Sequence, residues 1–269
     1  MSALTAALGD GVAIAKRNVI KIKRVPEVLV CVLISPIMCV LLFAYVFGES
    51  IPIPGVDYRE FLMAGIFTQT VVFGATFTGA GLAEDMQKGI IDRFRSLPMS
   101  RSAVLVGRTS SDIIYNVLSI IIMSLTGLLV GWRIRGSFLD ALGGFLLLIL
   151  FAYAFSWIMA FIGLLVPSVE VINNASFVVL FPATFIANTF VPSDNLPGPL
   201  RTFAEWNPVS AVTQAAREAF GNTAPPGTIP EPSTWALQNP VVYTLIWVAI
   251  ILAIFVPLSI RQYKRAATR

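Results

Sequence analysis

Residues able to move a proton, attack a bond or hold a metal are scarce in this chain, and their scarcity directs the reading. There is no histidine, so the commonest general base and the commonest metal ligand are both missing. Cys31 and Cys39 lie in one apolar run, about 12 Å apart along a helix axis, too far for a disulfide and unlike any zinc spacing. No metal site is expected. The dipeptide Gly-Lys does not occur, which excludes the glycine-rich loop that cradles nucleotide phosphates. One titratable group stands out: Asp112, with Arg108 one turn before it and Asn116 one turn after, inside an apolar stretch. The trio is either part of a polar transport path or, the reading we favour, a polar lock between helices near the water boundary, where charge costs less than at the bilayer centre.

The elements that carry these groups are membrane helices. With 56% hydrophobic and 13% charged residues and a mean hydropathy of +0.79, the chain lies far from soluble domains, about a quarter of whose residues are charged. Six apolar blocks approach or exceed the roughly 20 residues that cross a bilayer: Val28–Phe47, Phe61–Leu82, Ala103–Val130, Phe138–Val166, Val171–Val191 and Val241–Ile260. An all-α integral membrane protein with six transmembrane helices is expected. Residues 1–26 read as a cytoplasmic interfacial helix: Leu4, Leu8, Val12, Ala15, Val19 and Ile22 share one face, with Arg17, Lys21 and Arg24 opposite.

With six spans both termini share a side. Lys and Arg number 14 on that side and 5 on the other, so both termini, including the tail 261–269, belong in the cytoplasm. Spans one to five occupy residues 27–191, and 241–260 form the sixth. The far-side segment 192–240 has helical character over Leu200–Phe220, broken at Asn207-Pro208. A helical hairpin before the last span is expected, followed by a proline-rich irregular cap.

Two further patterns are chemical candidates. Phe177, Phe181 and Phe185 in span five, and Phe73 and Phe77 in span two, follow i, i+4 spacing. Such stripes line an apolar cavity for a lipophilic substrate, with Gln69, Thr70 and Asn188 as polar anchors, or else they pack against neighbours and lipid. Gly65, Gly74, Gly79 and Gly81 in span two allow close approach of another helix or subunit. The second pattern is the polar loop at 84–102 within the stretch Glu84–Arg108. Ile90, Phe94 and Leu97 form a short apolar stripe flanked by Arg93 and Arg95. A helix of about two turns is unstable alone and needs a groove, either on a partner protein or on its own spans and headgroups.

The residues then resemble a family. Within Glu84–Arg108, the sequence KGIIDRFRSLPMSRSAVLVGR resembles the loop after the second span in permease subunits of type-2 ABC exporters, the daunorubicin-resistance group in particular. In order and spacing, Val169–Pro192, Leu196-Pro197, Asn207–Ser210 (NPVS) and Arg217 resemble the same group. Where that group often has a run of acidic and basic residues before Lys-Gly, this chain has Glu84, Asp85, Met86 and Gln87.

The resemblance implies two permeases, this chain with a second copy or a paralogue, in a bacterial plasma membrane, working with two separate cytoplasmic ATPase subunits. Those subunits would bind ATP and Mg, and this chain would bind no cofactor. It further implies a coupling helix in the cytoplasmic loop, docked through Glu84, Ile90, Ile91, Arg93, Phe94, Arg95 and Leu97, and a lipophilic drug, lipid or glycan as cargo. Glu170, in the short cytoplasmic turn after span four, is a capping or docking residue. Nucleic acid is not an expected partner, because the basic residues flank apolar spans. The rival reading is a proton-coupled secondary transporter using Asp112 or Glu170. A membrane-embedded enzyme is poorest, since no nucleophile and base pair is visible.

Overall fold

The computed structural model describes residues 26–46, 53–90, 101–166, 168–225, 228 and 234–265. The expected interfacial helix (1–26), except for its last residue, lies outside them, as do Ile91, Arg93, Phe94, Arg95 and Leu97 of the loop expected in the cytoplasm. Every regular element among the described residues is helical, and the only strand-like pairing is an isolated bridge between Ile53 and Val56. In chain order the helices are α1 (Pro26–Val46), α2 (Tyr58–Gly74), α3 (Thr76–Gln87), α4 (Arg101–Val130), α5 (Phe138–Leu165) and α6 (Val169–Phe185). They continue with α7 (Gly198–Trp206), α8 (Pro208–Ala219), the short α9 (Trp235–Gln238) and α10 (Pro240–Arg265). By length and apolarity, four stretches among the described residues can cross a membrane: Tyr58–Gln87, Leu105–Val130, Phe138–Leu165 and Pro240–Arg265. α1 and α6 are also apolar.

α5 is the central element and packs against α2, α3, α4, α8 and α10. It is apolar all round, the pattern of a helix with protein on one face and lipid on the other. Ser137 caps its start by accepting from the Asp140 amide. Close contact with α3 depends on glycine: a Cβ on Gly163 would lie 2.5 Å from the Gly79 carbonyl oxygen, and one on Gly79 would lie 2.7 Å from that of Met159. The small residues read from span two thus face a neighbouring helix of the same chain. Gly163→Val is expected to lower the melting temperature of the purified protein by an amount equivalent to about 1–3 kcal/mol, the usual cost of overpacking. Gly143→Ala, where an added Cβ meets open space, should melt like the parent.

Span two runs as one apolar stretch from Tyr58 to Gln87, with a one-residue irregularity at Ala75, where α2 gives way to α3 without a side-chain cap and the Thr76 hydroxyl bonds the Phe73 carbonyl. Span five, expected to reach Val191, is helical only to Phe185. The physical reason is that backbone groups at 188 are taken by distant side chains. The Asn188 amide donates to Ser210 Oγ (3.0 Å), and its carbonyl accepts from Arg217 Nη2 (3.0 Å).

The break at Asn207-Pro208 is where α7 meets α8. Asn207 Oδ1 caps α8 through the Val209 amide, and Pro208 takes the first helical position, where a missing N–H costs nothing. The region expected to be an irregular cap contains α9. Its Trp235, with Trp206, Tyr243 and Trp247, forms an aromatic group at the start of α10, with ring centroids 6.1 to 6.4 Å from that of Tyr243. Amphipathic rings of this kind settle at the bilayer surface.

Candidate functional site

The aromatic stripes converge. Phe73 of α2 meets Phe177 of α6 at 6.4 Å between centroids, and Phe177, Phe181 and Phe185 continue along α6 at 5.0 and 4.1 Å. Phe185 then reaches Phe190, which stacks on Phe43 of α1 at 4.5 Å. This aromatic wall bounds a cavity of about 510 Å³, within the range of small-molecule sites. Gln69, Thr70 and Phe77 also line it. Phe77, Phe177, Phe181 and Phe185 each expose between 37% and 57% of their surface, so the rings are only partly covered by the chain's own side chains. None of the lining side chains among the described residues is charged. The polar ones are hydroxyls, a thiol and the amides of Gln69 and Asn116, and Gln69 Oε1 is buried without a hydrogen-bond partner. Such walls suit an apolar body with a few polar substituents.

Some lining residues lay outside the sequence reading. Ser35, Cys39 and Phe43 of α1 and Tyr115 and Ser119 of α4 face the cavity. The signal was present: 35, 39 and 43 repeat the i, i+4 spacing of the phenylalanines, as do 115 and 119, but in residues of mixed chemistry. Asn188 does not line the cavity. It is buried, and its backbone ties α6 to α8.

Beside the cavity lies the polar trio. Asp112 is 1% exposed and its Oδ2 accepts a short hydrogen bond from the Thr78 hydroxyl of α3. Arg108 does not pair with Asp112. Its Nη2 donates to the Phe77 carbonyl of α3 at 2.9 Å, and its guanidinium lies against Gly81, where any side chain would collide with it. Asn116 donates to the Asp112 carbonyl at 3.0 Å, and its Oδ1 faces Gly74. The three side chains thus lie against the second span, Arg108 and Asp112 bonded to α3 and Asn116 beside Gly74 of α2. Thr78 was not singled out in the sequence because it sits 34 residues from Asp112.

A second buried charge pins the segment after α6. Arg217 of α8 donates from Nε to the Phe61 carbonyl (3.2 Å) and from Nη1 to Gln214 (3.2 Å), and its Cζ stands 3.5 Å from the Phe61 ring centroid. Burial pulls its guanidinium down to about 9, which leaves it charged at neutral pH. Asn207 Nδ2 donates to the Ala183 carbonyl at 2.7 Å. The Asn207–Ser210 and Arg217 positions thus hold α8 to α2 and to the end of α6.

Of the loop residues expected at the docking contact, Glu84 and Ile90 are described. Glu84 is in the last turn of α3 and pairs with Lys88 at 2.5 Å, after which Gly89 turns the chain with φ +62°. Glu170 is exposed in the first turn of α6, which Ser168 caps.

A bundle of helices of which several are long and apolar enough to cross a bilayer is that of a multi-pass membrane protein. Comparison with known proteins gives the family. A family model described as ABC-2 type transporter matches residues 11–220, and the chain belongs to that family. It is 32% identical over 248 residues to the daunorubicin resistance ABC transporter permease protein DrrB1 of Streptomyces coeruleorubidus, covering 92% of this chain and 83% of that one. The probable doxorubicin resistance ABC transporter permease protein DrrC of Mycobacterium tuberculosis is 25% identical over 198 residues (73% and 67% covered). The putative transport permease ycf38 of Porphyra purpurea is 23% identical over 216 (78% and 74%). Membership in the family implies ATP-binding partner subunits.

Proposed function

We propose that this chain is the permease subunit of an ATP-driven drug exporter and that its cargo passes through the aromatic cavity. The observation that carries this reading is the cavity itself, whose uncharged walls gather five helices, α1, α2, α3, α4 and α6, around an aromatic face. The spans number six, α2 with α3 forming the second. α7 and α8 make a hairpin on the extracytoplasmic side, and both termini are cytoplasmic in a bacterial plasma membrane. A second permease, a copy or a paralogue, completes the path. Two separate ATPase subunits bind ATP and Mg and do the hydrolysis, and this chain is not itself an enzyme. The loop 84–102 docks on them, with Glu84, Ile90, Ile91, Arg93, Phe94, Arg95 and Leu97 at the contact and Glu170 beside it. ATP-driven closure of the ATPases then shifts the cavity between inward and outward access. The names of the relatives make doxorubicin a suitable test cargo.

Cys39 offers a test, because it is a free thiol on the cavity wall. In the complex with its ATPase, on a Cys31→Ser background, doxorubicin should slow maleimide labelling of Cys39. Phe181→Ala should weaken that protection roughly 10-fold, since one ring of the aromatic wall is lost. Equal protection with and without Phe181 would remove the cavity from the path. Transport by the chain alone, dissipated by an uncoupler and lost in Asp112→Asn, would establish proton coupling instead.

A further inference from the structure

The polar cluster sits where two elements of the transport cycle meet. α4 begins at Arg101, in the last residues of the loop 84–102, and Arg108 is about 10 Å along it at 1.5 Å per residue. From there one face of α4 grips the second span on both sides of its interruption at Ala75. Arg108 holds the Phe77 carbonyl and fills the space over Gly81, Asp112 takes the Thr78 hydroxyl, and Asn116 lies over Gly74. The same short segment forms cavity wall: Phe73, Gly74, Thr76 and Phe77 line it from one side, Tyr115 and Asn116 from the other. A helix break bends more easily than a continuous helix, because the i to i−4 ladder is already interrupted there. Any axial or rotational displacement of α4 must therefore pull on Phe77 and Thr78, and the break at Ala75 is where the second span can yield.

We propose that Arg108, Asp112 and Thr78 form a strut that transmits movement of the cytoplasmic loop to the cavity wall at Phe77, so that these three are positioning residues for coupling. This inference rests on the exporter reading above. A buried charged group is a poor source of stability when an apolar replacement would pack as well, but it fixes register between helices. Register is what a transmission element requires. Two hydrogen bonds on successive residues, one to a main-chain oxygen and one to a side chain, resist both sliding and rotation, which an apolar contact of similar area does not.

Thr78 is the residue to change, since Thr78→Val keeps the shape and removes only the hydroxyl, while Thr78→Ser keeps the hydroxyl. The full complex with its ATPase, in nanodiscs on the Cys31→Ser background, gives two readouts: ATP hydrolysis, and the rate of Cys39 maleimide labelling with and without Mg-ATP. In the parent, Mg-ATP should change the labelling rate by at least about threefold. In Thr78→Val the complex should still assemble and hydrolyse ATP at near the parent rate, while the ATP effect on Cys39 is lost and doxorubicin transported per ATP falls by roughly 10-fold. Thr78→Ser should restore both. If Thr78→Val lowers only the melting temperature, and the ATP effect on Cys39 and the transport ratio match the parent, the cluster is a static lock and the proposal is overturned. The same result in Arg108→Lys, which keeps the charge and loses the planar fork, would overturn it independently. Failure of doxorubicin to protect Cys39 in the parent would instead count against the exporter reading, because the ATP effect on Cys39 requires no cargo.

Discussion

Arg217→Ala is expected to prevent the protein from accumulating as a stable, monodisperse species. Arg217 is 2% exposed and joins three chain segments that are distant in sequence: Phe61 in the second span, Asn188 beyond the fifth, and its own helix α8. Its removal leaves the Asn188 carbonyl, outside any helix, buried without its donor, takes the guanidinium donor away from the Phe61 carbonyl, and deletes the cation held over the Phe61 ring. Hydrogen bonds to a charged donor contribute about 1.5–3 kcal/mol each, and a desolvated cation–π contact about 2 kcal/mol. These do not add fully, so a net loss of about 3–5 kcal/mol is the reasonable expectation. The cavity left behind by a large side chain acts in the same direction. Arg217→Lys should recover a minority of this, because an ammonium keeps the charge without the fork that reaches both carbonyls. Thermal unfolding followed by size-exclusion chromatography measures both. A melting temperature for Arg217→Ala within about 2 °C of the parent, where 1 kcal/mol is worth 2–4 °C at this size, would mean that the network does not hold the outer helices.

Arg217 also marks the boundary of what could be read from the sequence. Apolar runs of about 20 residues identify spans because the bilayer leaves no alternative for the backbone, and the starts of α5 and α10 fall within one residue of expectation. The end of the fifth span could not be read this way. Ile186 to Val191 is apolar enough to continue a helix, yet its backbone is held by Ser210 and Arg217, 22 and 29 residues further on. The break at Ala75 was hidden for a related reason. Gly74, Ala75 and Thr76 are ordinary in a membrane helix, and only the contact of Asn116 with Gly74 gives the site away.

The cavity was more legible, because i, i+4 spacing puts a stripe on one face wherever the helix lies. The stripes on α2 and α6 were read and are brought together. That on α1 was missed because serine, cysteine and phenylalanine do not look like one surface until a cavity joins them. Local periodicity thus identified the faces, and what remained hidden was partnership across the chain, as with Thr78 and Asp112.

Phe94→Asp is expected to abolish association with the ATPase while leaving membrane insertion and the helical bundle intact. Phe94 itself lies outside the described residues, and the argument comes from either side of it. α3 runs to Gln87, its end is capped by the Lys88 amide on the Glu84 carbonyl, and Gly89 turns the chain in the left-handed conformation. α4 starts again at Arg101, so the connection is short and both its ends are anchored on rigid helices. In the sequence, Ile90, Phe94 and Leu97 recur at helical spacing across this connection, which is the pattern of an apolar stripe offered to a partner's groove. Burying one phenylalanine in a partner's groove contributes about 1.5–3 kcal/mol, and forcing an unpaired carboxylate into the same place costs several more. Each 1.4 kcal/mol is tenfold, so affinity should fall by about 100-fold or more. Exposed charges near the loop set the comparison. The Lys88 and Glu84 pair is 60% and 32% exposed, and Glu170 is exposed, so Glu170→Lys should change association by no more than about 1 kcal/mol, screened further by salt. Co-purification of the ATPase with each variant, followed by titration in nanodiscs, separates the two. Phe94→Leu should retain most of the affinity. If Phe94→Asp binds the ATPase as the parent does, the loop is not the docking element, and the energy of hydrolysis must enter elsewhere.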